Sequence, residues 1–202
     1  MTYPPEPWYL GGSLLASAFL VDGSLFADAL PAGRRPLRVG RKIVVGVASA
    51  SYVPGGVLAY EELLVAIPTL GRGGLRITIP QIWVDSPTSQ AGGTELWGIP
   101  KQLAEFERRE TYAAMNRDEV TLTSETRGAL LPGMRQLPLP ILQQVAGGSI
   151  LSHNRVIGRL RRLRTAWAFD PSGPLGYLAG RRPFLSFAVR DASIIFGMDV
   201  QR

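Results

Sequence analysis

The chain has 202 residues, a hydrophobic content of 46%, a formal net charge of +6, one histidine and no cysteine. That length supports one well-buried domain. The missing cysteines exclude disulfides, thiolate catalysis and cysteine-held zinc or iron–sulfur sites. Met1 to Pro7 carry no basic leader, and the apolar run Leu14 to Val21 is too short to span a bilayer as a helix, so a cytoplasmic protein is expected.

In chain order, alternating apolar and polar residues predict strands over Ser13–Val21, Lys42–Val53, Leu58–Ile67, Leu75–Val84, Glu119–Thr126 and Phe184–Phe196. Turns are expected at Pro54-Gly55-Gly56, at Gly71 to Gly74, at Gly92-Gly93 and at Asp170 to Pro174. Short helices are expected over Ser24–Leu30, Ile99–Phe106 and Pro140–Ile150, the last weakened by Gly147-Gly148. Strands following one another through short connections disfavour a parallel βαβ sheet. They point to a mostly β, α+β domain over 1–202, its antiparallel sheet curled or closed into a barrel.

Most chemistry is excluded by arithmetic. His153 would be the only histidine available to a Ser-His-Asp triad, and between a Gly-Gly turn and a strand it reads as a surface or hydrogen-bonded residue. No histidine-rich metal site can form, an all-carboxylate site would need clustered acids beyond the pair Glu61-Glu62, and no metal is expected. The glycine groups fit neither a P-loop nor a dinucleotide fingerprint. Five arginines lie between Arg155 and Arg164 among Val156, Ile157, Leu160 and Leu163. They read as a solvated face or subunit contact, nucleic acid being the weaker alternative because no stacking aromatic joins them before Trp167.

The lysines are more informative. Of 22 basic residues only Lys42 and Lys101 are lysines. Arginine cannot deprotonate, so only these two can become amine nucleophiles. Lys101 follows a proline within the apolar stretch Leu96-Trp97-Gly98-Ile99-Pro100. Burial there would disfavour the ammonium and supply a neutral amine able to form an imine with a carbonyl compound. A surface lysine at a helix start is the plainer reading, and on the residues alone the stronger one.

The string Glu95-Leu96-Trp97-Gly98-Ile99-Pro100-Lys101-Gln102-Leu103 resembles the active-site segment of acetoacetate decarboxylases. Tyr60-Glu61-Glu62 with Ala66-Ile67-Pro68 is similar to the stretch holding one of that family's active-site glutamates, and Pro7-Trp8-Tyr9 and the last strand are similar to its ends. The resemblance implies the family's curled β architecture around a closed apolar cavity. It implies Lys101 as the Schiff-base lysine and Glu62 as proton shuttle or water-orienting group. Tyr60, Glu61, Ile79, Ile82, Trp83, Trp97 and Gln102 are the neighbours expected to shape the substrate site. It further implies a small keto substrate, no cofactor, no nucleic acid or membrane partner, and assembly as a homo-oligomer.

The departures are specific. The family's second lysine is Gln102, which leaves desolvation as the main activator of Lys101. Its carboxylate-binding arginine falls on Gly12, and its other glutamate falls near Gly46. Acetoacetate is thereby disfavoured against a bulkier or uncharged keto compound. Decarboxylation, aldol-type condensation and dehydration all stay open, beside a non-covalent cavity protein that binds or cyclises an apolar metabolite.

Overall fold

The computed structural model describes residues 2–116 and 119–202. Its strands are β1 (Trp8–Asp22), β2 (Arg35–Pro36), β3 (Arg38–Val39), β4 (Lys42–Val53), β5 (Tyr60–Gly71), β6 (Gly74–Val84), β7 (Lys101–Leu103), β8 (Phe106–Arg108), β9 (Tyr112–Met115), β10 (Val120–Val145), β11 (Gly148–Phe169) and β12 (Leu185–Gln201). One α-helix, α1 (Pro87–Trp97), joins β6 to β7, and a 3-10 segment follows β1 at Gly23–Ala29.

The strands form one sheet in the order β7-β6-β5-β4-β1-β12-β11-β10-β9-β8, antiparallel except where β6 pairs with β7 and with β10. The β6–β10 contact closes seven of these strands into a ring. Only Ile77 and Ile141 bridge the seam directly. The rest is supplied by side chains. The Gln143 amide accepts from the Ile79 N–H at 2.9 Å and donates to the Ile79 carbonyl at 2.8 Å, while the Thr78 hydroxyl donates to the Leu142 carbonyl at 3.0 Å. A buried glutamine thus substitutes for a strand partner where the ladder is too short to satisfy the backbone.

Strand alternation sends one side chain into the ring and the next outward. On β5, Tyr60, Glu62, Leu64 and Ala66 face inward, whereas Leu63, Val65 and Ile67 pack on an outer core with Phe19, Val45, Trp83 and Phe169. Both faces of the sheet are therefore covered near the site, which makes its backbone a rigid support.

The mostly-β architecture agrees with the sequence reading, and three local expectations are corrected. Ile99–Phe106 is not helical: it holds β7 and the start of β8, because Gly98, left-handed at φ 64°, has already ended α1. Pro140–Ile150 is the tip of the β10–β11 hairpin, turned at Gly147, whose φ is 83°. Pro132 and Pro138 fit within β10 because no strand pairs with its other edge between Thr123 and Ile141, and Pro140 immediately precedes the single bridge to β6. Gly92-Gly93 lies inside α1 and is not a turn. The β6-α1-β7 unit is also a short parallel crossover inside a sheet expected to be antiparallel throughout.

Candidate active site

Helix α1 starts as its sequence allows. The Ser86 hydroxyl accepts from the Ser89 N–H at 3.2 Å, and Pro87 occupies the first turn, where its missing donor is harmless. The helix lies over one end of the ring with its backbone close to the lysine. A Cβ on Gly93 would stand 2.6 Å from Lys101 Cε, and one on Gly92 would stand 2.5 Å from the Trp8 ring. The paired glycines therefore permit this approach despite their poor helix propensity.

Lys101 enters from β7, beside Ile82 in register and on the same inward face. It is 8% exposed. Its Nζ donates to Glu62 Oε2 at 2.8 Å, to Ser89 Oγ at 3.0 Å and to the Tyr60 hydroxyl at 3.4 Å, and lies 5.0 Å from the Tyr60 ring centroid. The Tyr52 hydroxyl donates to Glu62 Oε1 at 3.1 Å, and the Tyr52 and Tyr60 rings pack 4.5 Å apart. Both the ammonium and the carboxylate are thus fully partnered.

The electrostatics differ from the expectation of a depressed lysine. Burial by itself pushes Lys101 down, but the Glu62 charge, with Tyr60, outweighs it and holds the ammonium above the ordinary lysine range. Burial, reinforced by Glu62, pushes the Tyr60 phenol up to about 12, and burial with Glu62 also pushes Tyr52 well up. Both phenols therefore stay protonated at neutral pH. The resting site is a buried ion pair, one proton transfer away from a neutral amine and a neutral acid. In an apolar surrounding that neutral pair is favoured relative to its balance in water, because neither partner then needs solvation.

These groups stand at one end of a cavity of about 280 Å³. Trp8, Ile82, Trp97 and Ile99 are buried around the lysine, while Ala18, Val44, Pro68, Ile77 and Phe187 line the far part and are partly exposed. In place of the closed chamber implied by the resemblance, the cavity has partly exposed lining in its far part, and also at Tyr52, Leu64 and Phe196. Among the described residues lining it, Lys101 and Glu62 are the charged ones.

The pleat sorts the expected site residues into two groups. Lys101, Glu62, Tyr60, Ile79, Ile82 and Trp97 line the cavity together. Glu61, Trp83 and Gln102 lie on the other face. Glu61 takes an ion pair from Arg108 and a hydrogen bond from Ser51, Trp83 joins the outer core, and Gln102 is exposed. A lysine at position 102 would consequently not sit beside the amine, so activation by that neighbour is not a function of this geometry. Sequence reasoning missed Ser89 and Tyr52. The signals were present: Ser86-Pro87 followed by Gly98 marks a helix with Ser89 in its first turn, and pairing β4 with β5 across Pro54-Gly55-Gly56 sets Tyr52 opposite Tyr60.

Gly12, where the resemblance would put a carboxylate-binding arginine, has no room for any side chain, since a Cβ there would lie 1.9 Å from the Ser51 carbonyl oxygen. Gly46 faces the cavity with only ordinary contacts. His153 stands opposite Asp199, its Nδ1 3.2 Å from the carboxylate, and is not among the cavity residues. The Arg155–Arg164 segment is part of β11, where Arg159 pairs with Asp191 at 2.6 Å.

Comparison with known proteins identifies the family. The family model of acetoacetate decarboxylase (ADC) matches residues 1–135. The chain belongs to the acetoacetate decarboxylase family. It is a divergent member, and no curated protein matches it. Among solved structures it is similar to acetoacetate decarboxylase from Legionella pneumophila subsp. pneumophila str. Philadelphia 1, with a TM-score of 0.69 at 18% identity over 97% of this chain and 86% of that one. It is similar to the enduracididine biosynthesis enzyme MppR complexed with pyruvate, with a TM-score of 0.67 at 16% identity over 100% of this chain and 91% of that one. The same enzyme complexed with the condensation product of pyruvate and imidazole 4-carboxaldehyde gives 0.64 at 17% identity, over 100% and 90% of the two chains. At these identities the likeness extends to the fold. No helix among the described residues is long and apolar enough to cross a membrane.

Proposed function

We propose that this protein is a lyase-type enzyme in which Lys101 forms a Schiff base with a carbonyl compound bound in the cavity. The observation that carries the reading is the 2.8 Å contact between a buried Lys101 Nζ and Glu62 at the polar end of an otherwise apolar chamber. Glu62 accepts the ammonium proton, and the free amine attacks the carbonyl carbon. Protonated Glu62 gives that proton to the departing hydroxyl, and loss of water leaves a protonated imine beside an ionised Glu62. That imine accepts the electron pair of the adjacent carbon–carbon or carbon–hydrogen bond as the bond breaks, giving an enamine. In decarboxylation carbon dioxide leaves, and a proton drawn from solvent through Glu62, held by Tyr52, reaches the enamine carbon; in retro-aldol cleavage Glu62 takes the hydroxyl proton of the departing carbonyl fragment and passes it to that carbon. Water then adds to the imine, releasing the product and restoring the ammonium. In dehydration Glu62 takes the proton of the broken carbon–hydrogen bond and gives it to a β-hydroxyl that the enamine expels as water, and the unsaturated imine is hydrolysed in the same way.

Incubation with a methyl ketone and borohydride tests the reading. The expected result is a reduced adduct by mass on Lys101, absent in Lys101→Met; a folded protein left unmodified overturns it. A second reading has a specific observation in its favour. Because Lys101 and Glu62 are fully partnered, they also suit a protein that holds an apolar carbonyl compound by burial without covalent chemistry, in which case the parent yields no adduct and Lys101→Met still binds the ligand.

A further inference from the structure

On the inward face of β1, β4 and β5 beyond Glu62, beside Leu64, Val44 and Pro68, five positions are small. Ala18 lies directly opposite Gly46 and Gly46 opposite Ala66, while one step nearer the lysine Ala16 lies opposite Ala48. All five line the cavity. They form one patch, because these side chains belong to adjacent rungs of three neighbouring strands, about 10 Å across at the usual strand separation. Elsewhere the ring carries Leu139, Ile141, Phe187 and Ile194 inward. Free volume beyond the ion pair is left where these five positions carry at most one methyl group each, Leu64 standing between Glu62 and Ala66 on the same face. The Gly46 backbone has room for a side chain, since a Cβ there meets only the Ala66 oxygen at 3.5 Å and its Cβ at 3.7 Å. A larger residue would project into the cavity rather than into backbone.

Resting on the Schiff-base reading for its reactive end, we infer that this small-residue wall is the specificity-determining surface of the site, and that it selects carbonyl compounds bearing an extended, uncharged hydrocarbon tail. Ala66 is four residues along β5 from Glu62, about 13 Å at a strand's rise. A substrate whose carbonyl reaches Lys101 must lay its remainder along that distance toward the far part of the cavity. No charged side chain lines that stretch among the described residues, so an ionised tail would lose hydration without gaining a partner. A hydrocarbon tail instead gains affinity with every methylene that leaves water.

Binding of 2-butanone and 2-undecanone, followed by quenching of tryptophan fluorescence, tests the wall without requiring an imine, because Trp8 and Trp97 line the cavity. The parent protein is expected to bind 2-undecanone at least a hundredfold more tightly than 2-butanone. Gly46→Leu and Ala66→Leu are each expected to lower the ratio of 2-undecanone to 2-butanone affinity at least tenfold. Equal affinity for the two ketones in the parent, or folded leucine variants in which that ratio is undiminished, overturns the inference. If either variant fails to fold, the other and the parent's chain-length dependence decide. Tail-dependent binding without any adduct supports the wall and removes the Schiff-base reading alone.

Discussion

Replacing Glu62 by glutamine separates the two forces acting on Lys101. In the parent the carboxylate charge, with Tyr60, outweighs burial, and the amine is held above the ordinary lysine range. A folded-state value raised above the unfolded one contributes stability that is fully present below the unfolded value, near 10.4, and is lost only as pH rises through the folded one. The parent should therefore show no loss of stability from this pair between pH 7.5 and 9.5. In Glu62→Gln burial acts without the opposing charge, and burial can lower a lysine by up to about 3–5 units. The folded variant then holds a neutral amine while its unfolded chain binds a proton. At pH 7.5, about 2.9 units below the unfolded value, this costs at most about 4 kcal/mol at 1.36 kcal/mol per unit. The deficit shrinks by about 1.4 kcal/mol per pH unit, because variant stability climbs with pH in that window while parent stability stays level. Denaturant unfolding of both proteins at pH 7.5, 8.5 and 9.5 measures this. Labelling of Lys101 by a small amine-directed reagent should move its pH midpoint down by more than one unit in the variant. A deficit independent of pH, together with an unmoved midpoint, would refute the claim that Glu62 sets the charge of Lys101.

Other outcomes follow from the same contacts. Gly93→Ala places a methyl group 2.6 Å from Lys101 Cε, so borohydride trapping should fall more than tenfold even though alanine favours the helix by about 1 kcal/mol. Gln143→Leu strands the Ile79 N–H and carbonyl at the ring seam and should cost about 2–5 kcal/mol in denaturant unfolding. Gln102→Lys adds a cation on the outward face, and the pH profile of Lys101 labelling should coincide with that of the parent.

What the sequence makes legible here follows from periodicity. The Lys42–Val53 strand is found with those bounds, and the Leu75–Val84 strand differs by one residue, because alternation has period two and both segments are half buried. The β10–β11 hairpin was only partly legible. Its strands run 26 and 22 residues, with three prolines and an arginine-rich partner, and such composition resembles loop until the free edge that tolerates it is known. α1 was hidden by Gly92-Gly93, whose smallness serves the lysine and the tryptophan packed against the helix rather than the helix itself.

The site shows the same division. Glu62 and Lys101 meet because both point inward from strands whose alternation is readable, yet which of Glu61 and Glu62 points inward depends on a register that no local pattern contains. Once β5 is fixed between β4 and β6, the choice propagates. Tyr60 and Glu62 face the lysine, Glu61 turns to Arg108, and the Gly46 and Ala66 positions fall on the wall that leads away from the amine. A single slip of β5 would exchange Glu62 for Glu61 and replace that wall with Leu63, Val65 and Ile67. The charge of the lysine and the room for a substrate tail are thus consequences of one register, fixed by the outer core that those three residues fill.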